Sequence, residues 1–343
     1  MTTHPYADLP DYAFWRRAVS ETTDPVVEAP FRIGPMAPIA TAGSCFAQHI
    51  SRVLDENGYH YLVTEPEGEG AGMFPARFGN IYSPRQLLQT FERAYATFRP
   101  VDRAWLRDDG AYVDPFRPRI QAEGFGSPEA VDAARTGHFA AVREMFETCS
   151  VFIFTLGLTE AWISTRDGAV FPLAPGVAGG EPGADYAFHN FTVEEMAADL
   201  RAFVRKLRIV NPAVRVILTV SPVPLVATYE PRHVLVSTTY SKAALRVTAD
   251  MVAGSEPSVC YFPSYEIITG PQARGRYFAE DLRTITAEGV GRVMEVFSRS
   301  FLGGADEAPA TGGAAAVTLS EAEVAEFDAQ AEVVCDEEAL DVG

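Results

Sequence analysis

The sequence predicts an α/β fold in which a central parallel sheet lies between two layers of helices. Three short runs of apolar, β-branched and aromatic residues, at 151–156, 214–220 and 259–262, are typical of strands buried on both faces of a sheet. Segments with helical spacing of apolar residues alternate with these runs. This alternation favours parallel strands joined by helical crossovers.

The individual elements follow from local patterns along the chain. A short packed helix is predicted at 11–19 and forms an N-terminal arm, and a strand at 38–42 ends at Gly43, directly before another helix. Further helices are predicted from Pro84 onward and at 128–149, 193–207, 241–253 and 286–301. Residues 101–128 are mixed in character and contain prolines, so we expect a hairpin or lid insertion there.

Length and charge indicate one domain followed by an acidic tail. The chain has 343 residues, and we expect a single domain over 1–302. Residues 303–343 carry eleven acidic side chains and no Lys or Arg, so we expect most of this tail to be disordered. The tail accounts for most of the formal net charge of −18, and the rest of the chain has −7. No basic stripe is present, which argues against a nucleic-acid partner.

The cysteines and the apolar runs bear on compartment and cofactors. The four cysteines show neither zinc-ligand spacing nor the pattern of a disulfide framework: Cys45, Cys149, Cys260 and Cys335. They fit a reducing compartment. No secretory signal and no apolar run of about 20 residues is visible, so we expect a cytoplasmic protein without a membrane span. We also expect no metal and no cofactor, because no phosphate-cradling glycine loop is present.

The turn Gly43-Ser44-Cys45 is the first candidate site. Ligands of parallel sheets bind at the carboxyl ends of the strands, and this turn joins such an end to a helix. The N–H groups and the dipole at a helix N-terminus favour an anion, so Cys45 would gain thiolate character. Ser44 is the alternative nucleophile, although a hydroxyl depends more on an adjacent base. The competing interpretation is that Ser44 caps the helix and Cys45 packs as a small apolar residue.

The segment Thr41-Ala42-Gly43-Ser44-Cys45-Phe46-Ala47-Gln48 resembles the defining motif of the GSCFA family, which belongs with the SGNH (GDSL-like) hydrolases. Other stretches that resemble the family are 78–83, 155–162, 218–224, 261–266 and His233 with Ser241-Lys242. The resemblance covers about 30–301. It implies a three-layer α/β/α sandwich with a central parallel sheet, flavodoxin-like in topology.

The resemblance also implies roles for individual residues. The first SGNH block reads Gly-Asp-Ser, and its alignment on Gly43 places Cys45 at the nucleophile and Ser44 beside it. The second block contributes an oxyanion-binding amide, which corresponds to Gly79 with Asn80. The third block is Gly-x-Asn-Asp in the SGNH enzymes. Here its residues are Gly157, Leu158, Thr159 and Glu160, so Thr159 stands in place of the oxyanion Asn.

The last block departs most from the SGNH pattern. It normally reads Asp-x-x-His, but this chain has Asp281 followed by Thr284 at the histidine place. Without that histidine the usual relay cannot be assembled. His233, after the strand that ends near Ser221, and His189, in a predicted loop, are the alternative bases. His49 lies on the helical face of Cys45 but one turn into the helix.

Two functions from different classes remain open at this stage. The leading one is an acyl-ester hydrolase or acyltransferase that acts on a glycan or another polyol. The alternative is a catalytically silent SGNH-fold module that binds a glycan or a protein partner. The missing Asn of the third block and the missing His of the last block favour the alternative.

Overall fold

The computed structural model describes residues 4–44, 46–68, 71–303 and 340. It confirms the α/β class, with a four-stranded parallel sheet flanked by helices on both faces. The strands are β1 (Ile39–Gly43), β2 (Trp105–Leu106), β3 (Tyr112–Val113), β4 (Val151–Leu156), β5 (Glu160–Ser164), β6 (Val170–Phe171), β7 (Tyr186–Asn190), β8 (Arg215–Val220) and β9 (Val259–Tyr261). The α-helices are α1 (Trp15–Ala18), α2 (Phe46–Glu56), α3 (Pro84–Ala94), α4 (Pro128–Thr148), α5 (Val193–Val210), α6 (Val234–Ala253), α7 (Ser264–Thr269) and α8 (Ala287–Phe301).

The order of the strands gives the central sheet a flavodoxin-like topology. Strands β1, β4, β8 and β9 lie side by side and are all parallel. The segment at 60–62 extends the sheet beyond β1, because Ile39 donates to the His60 carbonyl and Leu62 donates to the Ile39 carbonyl. With this segment counted as a strand, the sheet has the spatial order 60–62, β1, β4, β8, β9. If these five strands are renumbered 1 to 5 along the chain, the spatial order is 2-1-3-4-5, as in doubly wound folds of the flavodoxin type.

The two faces of the sheet are covered by different helices. In β4, Val151 and Ile153 pack in one apolar cluster with residues of α2, α7 and α8. The alternate residues Phe152 and Phe154 pack in a second cluster with residues of α3, α4, α5 and α6. Because successive side chains of a strand point to opposite faces, this division defines the three layers. Complete burial of each such Phe contributes roughly 1.5–3 kcal/mol.

Several elements differ from the sequence predictions. The segment 11–19 forms a short 3₁₀ turn, Asp11–Ala13, and a single α-helical turn, α1, and the side chain of Trp15 is exposed, so the expectation of a packed helix was wrong. Helix α6 begins seven residues earlier than predicted. The sequence prediction missed an antiparallel sheet of order β6-β5-β7, and 101–128 contains the β2–β3 hairpin. The predictions for Cys45 and for the acidic tail 304–339 lie outside the described residues.

Candidate functional site at the strand ends

The turn after β1 is held in a conformation that requires glycine. Gly43 has φ = +145°, and a Cβ at this position would lie 2.5 Å from the Thr155 carbonyl oxygen on the neighbouring strand. The Ser44 carbonyl accepts a hydrogen bond from the Ala47 amide at 2.8 Å. The Ser44 hydroxyl is buried and has no hydrogen-bond partner among the described residues. It therefore makes no capping bond to the first described turn of α2, contrary to the capping interpretation.

The second segment of the site is 79–82, which runs beside the turn. The Ile81 amide donates to the Gly43 carbonyl at 2.9 Å, and the Gly157 amide donates to the Tyr82 carbonyl at 2.8 Å. The segment thus connects the end of β1 to the end of β4. Gly79 is half-buried, and within the described part of the chain its amide donates no hydrogen bond.

The third segment follows β4. A Cβ on Gly157 would lie 3.4 Å from Ser44 Cβ and 3.0 Å from the Tyr82 ring, so glycine permits a close approach to the turn. The Gly157 carbonyl accepts a hydrogen bond from Lys242 Nζ at 2.7 Å. Lys242 is only 2% exposed, so its amino group lies inside the protein at the edge of the site. This places a buried cation next to the glycine that contacts Ser44.

Thr159, the residue at the place of the missing oxyanion Asn, is completely buried. Its amide donates to Ser241 Oγ at 3.2 Å, and its carbonyl accepts from the Phe191 amide at 2.8 Å. Its hydroxyl has no hydrogen-bond partner among the described residues. Three segments of the predicted site, at Gly43, Gly79 and Gly157, therefore lie together.

A cavity of about 450 Å³ opens beside the second segment. We call it the strand-end cavity; its lining residues are Met73, Phe74, 77–80, Arg107, 116–122, Pro172, Val177 and Ala178. Gly79 and Asn80 thus belong to the cavity wall, and the next two residues, Ile81 and Tyr82, contact the turn and the end of β4. The opposite wall comes from the region 101–128, which was expected to form a hairpin or lid.

Four arginines line the strand-end cavity: Arg77, Arg107, Arg117 and Arg119. Arg77 ties the segment 101–128 to the rest of the protein, and Arg107 and Arg117 make contacts within that segment. Arg77 donates to the Ile120 carbonyl at 2.7 Å, and Arg107 donates to the Ala122 carbonyl at 2.7 Å. Arg117 pairs with the buried Asp114 at 3.0 Å. These contacts fix the shape of the segment and attach it to Arg77 at the cavity wall.

The predicted bases occupy other environments. His189 lies in strand β7 rather than in a loop, and its Nε2 is 2.9 Å from Glu195 Oε1. His233 is the exposed N-cap of α6, where its Nδ1 accepts from the Leu235 amide at 3.1 Å. In the described residues neither ring is hydrogen-bonded to Ser44 or Gly43. His49 is partly buried in α2, where burial lowers its pKa to about 3, so its ring is neutral near pH 7.

The two carboxylates of the predicted site, Asp281 and Glu160, accept hydrogen bonds from groups of the protein. Asp281 accepts hydrogen bonds from the amides of Arg283 and Thr284, both at 2.9 Å, and from the Thr284 hydroxyl at 2.6 Å. The threonine at the usual histidine place therefore closes a turn with the aspartate. Glu160 accepts from the Thr228 hydroxyl at 2.6 Å and from the Tyr229 amide at 3.1 Å. It anchors the segment that leads into α6.

Sequence reasoning missed the arginine-lined wall and the buried position of Lys242. The spacing of the arginines along 107–119 carries no motif, and only the fold brings them to one cavity. Among the described residues, no group of His, Cys, Asp and Glu is arranged to hold a metal ion. The helices in the described ranges include none that is both long and apolar enough to cross a bilayer.

Comparison with known proteins assigns the chain to a family without assigning an activity. No curated protein matches the sequence. The model of the GSCFA family matches residues 38–297, which include all three segments of the site. The chain therefore belongs to the GSCFA family.

Proposed function

We propose that this protein is an acyl-ester hydrolase or acyltransferase of the SGNH type, with its nucleophile on the turn Gly43-Ser44-Cys45. The observation that carries this proposal is the meeting of the turn with the segment 79–82, through Ile81, and with Gly157 at the carboxyl ends of β1 and β4. Parallel sheets bind their ligands at this edge. The hydroxyl of Ser44 is buried and has no hydrogen-bond partner among the described residues, and such an unsatisfied polar group at this edge also supports a functional role for the turn.

Cys45 is the favoured nucleophile and Ser44 the alternative. A buried ammonium beside the site favours anions, and Lys242 is held there by the Gly157 carbonyl. A cation near a thiol lowers the pKa of that thiol and raises the fraction of thiolate. This reasoning favours the cysteine, since a serine hydroxyl stays protonated near pH 7 and depends on a neighbouring base.

The proposed reaction is a two-step acyl transfer. The nucleophile attacks the ester carbonyl, and the resulting oxyanion accepts hydrogen bonds from the Gly79 amide, with Thr159 as a second donor. The bond between the carbonyl carbon and the leaving oxygen then breaks, and the alcohol leaves after it gains a proton. Water, or the hydroxyl of an acceptor, takes the acyl group from the enzyme in the second step.

His233 or His189 is the proposed proton carrier. General acid–base catalysis contributes typically 10²–10⁴-fold to the rate, so His233→Gln or His189→Gln should lower kcat by about that factor if the residue has this role. His189 would act together with Glu195, which is hydrogen-bonded to its ring. If both variants keep the full rate, the nucleophile works without a histidine.

A glycan or another polyol ester is the proposed substrate class. The strand-end cavity of about 450 Å³ lies in the range of roughly 300–1,000 Å³ that is typical of small-molecule sites. Its wall combines aromatic rings, such as Phe74 and Phe116, with arginines, which suits a sugar ring and its hydroxyls. A cytoplasmic location remains part of this proposal and rests on the cysteine pattern.

Chemical labelling tests the proposal directly. The full-length protein is treated with iodoacetamide and, separately, with a fluorophosphonate, and the modified peptides are identified by mass spectrometry. Burial raises the thiol pKa of both Cys149 and Cys260 to about 12, so these two cysteines serve as internal unreactive controls. We expect Cys45 to be alkylated much faster than either control at pH 7.

Hydrolysis of an activated acetyl ester provides the second readout. Cys45→Ala should abolish turnover if Cys45 is the nucleophile, whereas Ser44→Ala should then reduce it only moderately. The opposite order would assign the reaction to Ser44. The proposal is wrong if neither residue is labelled above the level of Cys149 and neither substitution changes ester turnover.

The silent binding module is the second candidate, and one observation favours it. Asp281 and Thr284 close a turn with each other, so the region that carries the SGNH aspartate and histidine makes a purely local structure. A module of this kind would bind acetylated oligosaccharides in calorimetry without cleaving them. Binding without labelling and without turnover would therefore select this candidate.

A further inference from the structure

A second cavity, of about 660 Å³, lies at the far end of α3 from the strand ends. It is bordered by the C-terminal end of α3, the following loop and α4, and we call it the arginine cavity. Five arginines line it: Arg93, Arg99, Arg103, Arg135 and Arg143. Asp132 is the one carboxylate in its described lining. Such a concentration of positive charge contrasts with the negative net charge of the chain.

Only two of these arginines have ion-pair partners in the described structure. Arg135 pairs with Asp114 at 3.0 Å and with Asp132 at 2.9 Å, and Arg103 also pairs with Asp132. Arg99 is exposed and forms no ion pair with a described carboxylate. Arg143 forms none either, and its Nη1 donates to the Ala94 carbonyl at 2.6 Å. The wall of the cavity therefore keeps an excess of positive charge.

Arg93 is the most informative member of the set. Its side chain is buried, with 8% exposure, and its guanidinium lies 3.6 Å from the centroid of the Phe116 ring. Its Nε has no hydrogen-bond partner among the described residues, and no described carboxylate forms an ion pair with it. Burial lowers its pKa to about 9; the charge of Asp114 acts against this shift, and the charges of Arg135 and Arg117 add to it. Asp114 is shared with Arg117 and Arg135, so the three guanidinium groups carry more charge than this one carboxylate, and a bound anion would offset the cost of burying the excess.

We propose that the arginine cavity binds the phosphate groups of a small phosphorylated molecule. Arginine presents a planar fork of donors that matches phosphate oxygens, and several forks can engage one polyphosphate at once. Phe98 and Phe139 in the lining offer an apolar surface for the organic part of the ligand. Since the 11 residues of α3 rise about 1.5 Å each, roughly 15 Å separates the arginine cavity from the turn at Gly43. The inference rests on the residues of the arginine cavity and not on the proposed acyl transfer.

Calorimetric titration of the full-length protein tests this site. The probes are inorganic pyrophosphate and adenosine diphosphate, without divalent cations, and sodium sulfate at matched ionic strength measures simple screening. We expect both phosphates to bind. Arg99→Gln and Arg143→Gln should each weaken binding about tenfold or more, because each removes a charge-assisted hydrogen bond. Arg205→Gln, at an exposed position of α5, is the matched control and should bind like the wild type.

The two phosphate probes also distinguish the source of the anion. Tighter binding of adenosine diphosphate assigns a phosphate ester, whereas equal binding assigns an inorganic polyphosphate; both results support the site. The inference is overturned if neither phosphate binds or if sulfate binds equally well. Unchanged affinity in a protein that carries both Arg99→Gln and Arg143→Gln would overturn it as well, since Arg99 is exposed and its replacement does not disturb the fold.

Discussion

The strand-end cavity and the arginine cavity are both lined by arginines, but the arginines have different partners. In the strand-end cavity, Arg107 and Arg117 bind carboxylates and neighbouring carbonyls and so hold the wall in position. In the arginine cavity, Arg93, Arg99 and Arg143 have no described carboxylate partner. The arginines of the strand-end cavity therefore stabilise its wall, whereas those of the arginine cavity can bind an anion.

The two cavities share one wall, which is centred on Asp114. This carboxylate is completely buried and binds both Arg117, at the strand-end cavity, and Arg135, at the arginine cavity. Arg93 in turn lies over Phe116, which lines the strand-end cavity. Burial by itself would raise the pKa of Asp114, but the charges of Arg135, Arg117 and Arg93 outweigh it and hold that pKa well below its usual range.

The largest expected effect is therefore that of Asp114→Asn, which removes the shared anchor. Breaking a buried ion pair by removal of one partner costs about 3–5 kcal/mol of unfolding free energy. Here the substitution leaves three buried arginines without their carboxylate. Urea unfolding measures the loss. Asp109→Asn is the control, because Asp109 pairs with Arg107 at the exposed surface, and its unfolding midpoint should hardly change. Equal midpoints for the two variants would contradict the role of Asp114.

Acid sensitivity gives the next effect, through His138. This side chain is buried beside Glu65, and burial, together with Arg117, lowers its pKa from 6.5 to about 4. The unfolded chain takes up this proton below about pH 6.5, whereas the folded protein takes it up only near pH 4. Stability is therefore lost as the pH falls through this window, by about 1.4 kcal/mol per pH unit.

Unfolding at a series of pH values checks this prediction. His138→Gln should reduce the slope between pH 6.5 and 4 and leave the part that comes from His49, whose pKa is lowered to about 3, whereas His60→Gln, at an exposed position, should not reduce it. The carboxylate of Asp114 contributes in a different window, since its depressed pKa removes stability only below about pH 3.8. A wild-type profile that is flat down to pH 4 would show that His138 is protonated in the folded protein.

The sequence was informative where local patterns decide structure. The buried strands β4 and β8 followed from apolar runs, and the turn at Gly43 followed from the glycine between a predicted strand and a predicted helix. The start of α6 did not, because Val234–Ala253 opens with β-branched residues whose helix propensity is low and depends on the His233 cap. For the same reason, a histidine predicted as a base was found at a helix cap.

The arginines of the two cavities could not be assigned from sequence at all. Arg93 lies on α3, Arg117 in the lid and Arg135 on α4, and only tertiary packing places all three around one carboxylate. Long-range charge pairs leave no spacing pattern along the chain. The segments of the strand-end site were predictable because each follows a strand, and parallel strands end at one edge.

A smaller effect distinguishes paired from unpaired buried arginines. Arg93→Met keeps much of the side-chain volume and removes a charge without an ion pair, so it should change the unfolding free energy by about 1 kcal/mol or less, in either direction. Arg135→Met breaks two ion pairs and should cost about 3 kcal/mol or more. Urea unfolding of both variants measures the contrast. Equal losses would mean that Arg93 is as well paired as Arg135.

The smallest expected effect is that of Arg99→Gln, and its sign depends on salt. Arg99 makes no described ion pair, so unfolding free energy at 0.15 M salt should stay within about 0.5 kcal/mol of the wild type. At 0.01 M salt the Debye length grows to about 30 Å, and repulsion from Arg143 and the other arginines becomes stronger. Removal of one positive charge should then make the variant slightly more stable than the wild type, as urea midpoints at the two salt concentrations would measure. A variant that is less stable at low salt would place a negative charge beside Arg99 and exclude it from the proposed anion site.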